Sequence, residues 1–508
     1  MPAAPTTRRP TRLRGVALGA TASLLLGGCF SGGSEETAAG AAGDGRVSLA
    51  MLQPPRSGLT PLSDDAFKLS RWSTAETLVT LDDLGEAQPA LATEWSQEDE
   101  RTWRFTVRPG VRFHDDTELT ADQVAAALTA ATQASPKPRI LDGVDMTVAV
   151  DGGDVLITTG VVDPLVPQRL SSPQLAVLAA SAYAADGTVS PVGTGTGPFE
   201  LVAVDGTSGA TLDRFDGYWG EPATAAGIDV DFVPDGTARA AALRTGTADV
   251  VEAIPVSQVS LLEPELVHEV PMPRTNTLYL NTEKGPFADP AVRAAARAAV
   301  DRATIVETVY EGRADIAEGL LGPALPWAAE GRGELEQRAP GAVPPGTTIT
   351  LGTFTDRAEL PEVAVLLEQQ LEAVGFDVEQ DVREYSFIES DALAGAFDAF
   401  ILSRATVLDS GDPVAYLYSD FACDGSFNIS QLCDPAVDAA LARAAAIPAG
   451  AERRAAVLEA EAAVLATDAA VPMLHERVIQ GEQSGVTGAA RDPRERVLIT
   501  AGTAADGS

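Results

Sequence analysis

The sequence predicts an α/β protein with two separate cores. Three observations carry this: a strand-helix-strand unit around residue 240, a second alternating unit between residues 349 and 402, and a chain of 508 residues, long enough for two or three domains. In chain order, Trp103, Phe105 and Val107 alternate with polar residues and read as a strand, and Thr120 with Gln123 forms a capping box that opens a helix to about Ala134. Ile228 to Val233 reads as a strand, Gly236 to Arg244 as a helix and Ala248 to Ile254 as a strand, a βαβ unit whose strands should be parallel. After a strand at Thr277 to Leu280, Asp289 as N-cap and Pro290 at the first helical position open a helix to about Tyr310, stopped by Gly312. Ile349 to Phe354, Leu360 to Val374, Phe376 to Val382, Phe387 to Ala394 and Phe397 to Leu402 then read as strand, helix, strand, helix, strand. Two further helices open at Asp434-Pro435 and Ala451. Two such cores on one chain define a bilobed binder whose pocket is the crevice between lobes.

Composition narrows the function. With 36 Lys and Arg against 73 Asp and Glu, the net charge of -37 repels phosphate backbones and anionic headgroups, which excludes nucleic acid and charge-driven adsorption to membranes. Arg8, Arg9, Arg12 and Arg14 precede a short apolar stretch from Gly15 to Gly28, the pattern of an export signal over residues 1–28. The stretch ends in Leu26-Gly27-Gly28-Cys29, which resembles the lipobox of bacterial lipoproteins, where cleavage precedes a Cys whose thiol is acylated. Residues 29–45, rich in Gly, Ala, Ser and Thr, then form a flexible tether. With Cys29 acylated, Cys423 and Cys433 remain as an even pair outside the reducing cytosol, and a disulfide between them is expected. Two Cys without a nearby His are too few ligands for a structural zinc, and His114, His268 and His475 are scattered; no metal and no cofactor is expected.

Pro89 to Val124 (PALATEWSQEDERTWRFTVRPGVRFHDDTELTADQV) resembles the signature region of extracellular solute-binding proteins of family 5, the dipeptide, oligopeptide and nickel binders of ABC importers. Gly195-Thr196-Gly197-Pro198-Phe199, Asn281 to Val306 and Ala396 to Phe421 agree with the same family in order, and the resemblance runs from about Leu49 to Gln480. It implies the large form of the periplasmic-binding-protein type II fold. Lobe one then covers residues 46–275 plus 477–508, with an inserted α+β subdomain over about 76–183, and lobe two covers residues 276–476. The hinge falls near Pro273 to Thr277 and His475 to Ile479.

In the peptide binders that this resembles, an acid before a Gly-Asp-Pro turn pairs with the ligand's amino terminus, which places Asp409 in that role and leaves Asp412 to cap the turn. Where relatives carry Gly-Trp, this chain has Ser403-Arg404; Arg404 is read as the receiver of a ligand carboxylate or as the partner of a nearby acid, and Arg383 and Tyr385 face the same choice. Asn276 at the hinge is placed among the ligand contacts, and Trp72 is read as a stacking surface or a core residue. The Cys pair also agrees with peptide-binding relatives. The family reading implies a monomer on the extracytoplasmic face of the cell membrane, anchored by lipid, that passes a small molecule or peptide to an ABC permease. Nickel fits less well, since borderline metals favour imidazole or thiolate and the His residues lie in unrelated segments, which leaves a chelated metal held by carboxylates as the open metal alternative. A rival reading is an exported peptidase or glycosidase, but no nucleophile elbow, zinc-protease helix or Walker lysine motif occurs, and no catalytic residue is assigned. A receptor or sensor on the same fold is the remaining alternative.

Overall fold

The computed structural model describes residues 45–407 and 411–506; Cys29 and Asp409 lie outside the described residues. One sheet of eleven strands runs through the molecule. At one end, Thr347–Phe354 lies parallel between Phe376–Arg383 and Ala399–Ala405. At the other, Arg46–Met51 pairs in parallel with both Gly227–Phe232 and Val250–Val251, so the two strands of the first βαβ unit are parallel but separated by a third. The ends are joined by two long antiparallel neighbours, Val267–Leu280 and Ala470–Glu482, which we call the crossing strands. Their ladder shifts register between Pro271 and Thr275 and again between Asn276 and Thr277. Only Thr277 to Leu280 has the apolar alternation that marks a strand in sequence; the rest of this 14-residue element includes two prolines and is held by its neighbours.

Four apolar cores follow from this layout. The largest runs from Leu278 to Leu474 and packs the helices Glu359–Glu372, Pro435–Ala446 and Ala451–Leu465 on the lobe-two end of the sheet. A second joins Val47, Phe199 and Ile228 to Leu498 and Ile499, so the C-terminal segment returns to the first lobe. A small cluster around Leu243, Val251 and Ile479 closes the lobe-one βαβ unit. The fourth belongs to a four-stranded antiparallel sheet covered by the helix Ala121–Gln133, whose capping box at Thr120 and Gln123 is formed. The chain from Asp289 does not continue as one helix to Tyr310: it forms Pro290–Ala299 and Arg302–Val309. Asp301 causes the break, because its side chain accepts from the Thr304 amide and starts a new helix. Cys423 and Cys433 are joined in a disulfide.

The inserted sheet is fastened to lobe one by the recognised motifs themselves. The Thr74 and Ser73 carbonyl oxygens pass so close to Gly195 and Gly197 that a Cβ on either glycine would lie 2.0 Å and 1.9 Å from them, which is why this crossing takes glycine. The His114 amide donates to the Gly195 carbonyl (2.8 Å), and His114 Nε2 lies 2.9 Å from the Gly197 carbonyl. The Glu76 carboxylate accepts from Thr196 Oγ1, Tyr218 Oη and Trp219 Nε1 at 2.8, 3.0 and 2.9 Å. Burial nevertheless holds its pKa above the usual carboxylate value.

His114 and His475 are both buried, and burial pulls each pKa down to about 4. Because the unfolded imidazole titrates near its ordinary value of about 6.5, the unfolded state binds more protons between about pH 6.5 and 4 and gains on acidification. At pH 5 each histidine should cost about 2 kcal/mol relative to neutral pH. Thermal melts from pH 8 to 4.5 should therefore fall steeply, and a His114→Gln/His475→Gln double variant should show a flatter profile; equal slopes would refute the assignment.

Candidate functional site

Where the crossing strands meet the lobe-two sheet, strand alternation divides the side chains between two faces. Arg274 and Asn276 stand opposite Ala405 and Ser403 and share one face; Thr275 stands opposite Arg404 on the other. On the first face Asn276 is fully buried, and its Nδ2 donates to Tyr310 Oη (2.7 Å) and Glu476 Oε1 (3.2 Å). Glu476 in turn accepts from Arg357 Nη1 at 2.6 Å. Burial raises the Tyr310 pKa well above its ordinary value, with Glu476 adding to the effect, so the phenol stays protonated.

On the second face the Arg404 guanidinium makes a bidentate pair with the fully buried Asp420, both contacts at 2.8 Å, and its carbon lies 4.1 Å from the centre of the Phe427 ring. Tyr279 and Tyr416 close around it; burial raises both phenol pKa values. Arg404 thus takes the second of the alternatives read for it: its planar fork is filled by an acid of the same lobe.

Arg383 follows the same course, bound to Asp381 and, at 2.7 Å, to Asp391. Tyr385 begins the helix Tyr385–Leu393, sets its ring edge-on to Phe354 with centroids 4.9 Å apart and donates its hydroxyl to Glu389 (3.0 Å). Trp72 takes the second of the readings given for it, the core residue. It is fully buried in the lobe-one core, its indole N–H lies 3.0 Å from Met51 Sδ, and its ring meets Phe232, so it has no face for a ligand. The sequence singled out Asn276 but not its partners Tyr310, Glu476 and Arg357, nor Arg274. An Arg three residues beyond Pro271 at a hinge was the available signal, but nothing local distinguishes it from the chain's other arginines.

The lobes also meet at their rims. Glu86, on the hairpin that joins Val79–Leu81 to Ala87–Pro89, forms an ion pair with Arg454 of the helix Ala451–Leu465. A narrow crevice lies there between Leu84 and Gly85 on one side and Gly411, Asp412 and Arg453 on the other. Asp412 accepts from the Val414 amide (2.7 Å) and from Arg453 Nε (2.5 Å), a turn-capping part. Among the described residues no group of three or more His, Cys, Asp and Glu side chains converges as a metal site.

Two α/β lobes joined by a pair of crossing strands, with polar groups gathered where they cross, define a two-lobed solute-binding protein. The chain belongs to the bacterial extracellular solute-binding proteins of family 5, whose middle-region profile matches residues 86–428. It is 28% identical over 303 residues to a glutathione-binding protein, GsiB, of Pectobacterium atrosepticum, a match covering 55% of this chain and 57% of that one. The corresponding match to GsiB of Escherichia coli K12 is 27% over 317 residues, or 59% of this chain and 61% of that one, so the alignments span about three fifths of these relatives. Among solved structures, the nickel ABC transporter protein of Bacillus halodurans superposes with a TM-score of 0.77 at 23% identity, covering 91% of this chain and 100% of that one. The murein tripeptide-binding protein MppA in its unliganded open form gives 0.74 at 19% identity, covering 91% and 98%. These two likenesses establish the fold.

Replacing Asp420 with Ala should destabilise the protein by about 3 kcal/mol, because it leaves the mostly buried Arg404 charge without its fork partner. Urea unfolding monitored by tryptophan fluorescence checks this; a loss below about 1 kcal/mol would mark the pair as a solvated one.

Proposed function

We propose that this protein is the substrate-binding lipoprotein of an ABC importer, which captures a small peptide or another amine-bearing solute between its lobes and presents it to a membrane permease. The crossing-strand pair is the observation that carries the reading: two cores joined through two adjacent strands with interrupted register can move as rigid bodies. With lobes at 46–275 plus 477–508 and at 276–476, a ligand touching both favours the closed form by its differential affinity, and the Glu86–Arg454 pair adds a contact between the two rims. Membership of a family of binding proteins and the lack of a nucleophile motif support action by binding, without turnover. The relatives named as glutathione-binding and murein tripeptide-binding support a peptide-like cargo. The basic, apolar and Leu-Gly-Gly-Cys order of residues 1–29 supports export and lipidation at Cys29, holding a monomer at the outer face of the membrane.

Native mass spectrometry of protein purified without refolding should find a stoichiometric small solute bearing a primary amine. By the family alignment Asp409 is its partner, so Asp409→Ala should weaken binding by at least about 2 kcal/mol in calorimetry. Unchanged affinity would remove Asp409 from the site. In the native host, radiolabelled palmitate should attach to the wild type and not to Cys29→Ala; equal labelling would refute the anchor.

A further inference from the structure

At the rim crevice, away from the crossing strands in sequence, two buried polar groups on opposite lobes lack a hydrogen-bond partner among the described residues. Gln168, 5% exposed, sits on the short helix Val166–Arg169 of the inserted subdomain, and its Oε1 is buried and unbonded. Trp327, on the helix Pro326–Gly331 of lobe two, has its indole N–H in the same condition. Both line the crevice that also holds the Glu86–Arg454 ion pair, and Leu165 and Val457 make the wall around them apolar. The two sides approach closely. A Cβ on Gly411 of lobe two would lie 2.4 Å from Leu81 Cδ1 of lobe one, and one on Gly85 would lie 3.5 Å from the Gly411 carbonyl oxygen.

The cavity volume here, about 30 Å³, is room for one or two water molecules and too small for a peptide. That separates the crevice from any solute site. Kept dry, the amide oxygen and the indole N–H would each bear the full penalty of lost hydration. One lobe supplies the acceptor and the other the donor. A water accepts from the indole N–H while it donates to the amide oxygen, so it answers both needs at once.

We propose that this crevice is an interlobe water site, in which one or two waters join Trp327 Nε1 to Gln168 Oε1 and, with the Glu86–Arg454 pair, hold the lobes together before solute arrives. The inference rests on the two-lobed binding role proposed above and assigns part of its regulation. Lobes that swing about the crossing strands must break this joint. Its strength therefore sets the fraction of solute-free protein already joined, and through that fraction the affinity for solute, without touching the solute.

The test follows the lobes directly. The chain from residue 29 onward, with Cys29→Ser, carries nitroxide labels at Ala149→Cys and Ala373→Cys, two exposed positions on the inserted sheet and on lobe two. Pulsed electron paramagnetic resonance then gives the distance distribution, for protein as purified and for protein stripped of bound solute. Trp327→Phe and Gln168→Met remove the polar atoms at nearly constant volume. In stripped protein each should raise the ratio of separated to joined forms at least about threefold, and Glu86→Gln should do the same. The Gln168→Met/Trp327→Phe double variant should move it no further than the larger single change, since both act on one bridge. Additive shifts overturn the water site. So does an unchanged ratio in both single variants, and if stripping the solute still alters the wild-type distances, the binding role stands. Distances that respond neither to solute nor to any variant overturn the water site and the hinged reading together.

Discussion

The antiparallel ladder between Val267–Leu280 and Ala470–Glu482 is the constraint on which the rest of the structure depends. Each strand begins in one lobe and ends in the other, so a single run of backbone hydrogen bonds connects two cores whose side chains otherwise pack separately. A regular ladder would make the sheet one stiff plate. Here the pairing is interrupted after Pro271, a residue without a backbone donor, and resumes at Thr275. The break falls beside Arg274, Asn276 and Glu476 on the two crossing strands.

Charge is distributed around that break in an economical way. Of the cations near it, Arg404 is neutralised by a fully buried acid and Arg357 by one nearly so. Both pairs lock loops and helices of lobe two against its sheet, where an unpaired ion would be expensive. That expense is why the fate of each arginine is informative. A guanidinium whose fork is filled by an acid of its own lobe is scaffold.

The lobe-one signature motifs have a mechanical role. The Phe113-His114 pair and the Gly195-Thr196-Gly197 segment are far apart in sequence, yet His114 bonds to both glycine carbonyls while Thr196 reaches Glu76. They bolt the inserted four-stranded sheet to the main one. The Glu86 hairpin, which pairs with Arg454 of lobe two, leads directly into this sheet.

Much of this was legible in the order of residues, and for local reasons. The capping box at Thr120, the N-caps at Asp289 and Asp434, the alternating α/β units and the even Cys pair each involve groups within a few turns of one another, so their physics is written within a short window. The second cap at Asp301 is equally local, but a run of alanines carries the helical pattern across it. What each charged or aromatic side chain does was settled elsewhere. Asp420 completes Arg404 from 16 residues away, Glu476 meets Arg357 across 119, and Met51 receives Trp72 across 21. An arginine carries the same fork wherever it stands, and whether that fork is filled depends on which acid the fold brings within about 3 Å of it. Sequence alone therefore determined the family, the lobes' secondary structure and the chemistry available, while only the tertiary structure decided which of those groups is spent on holding the protein together.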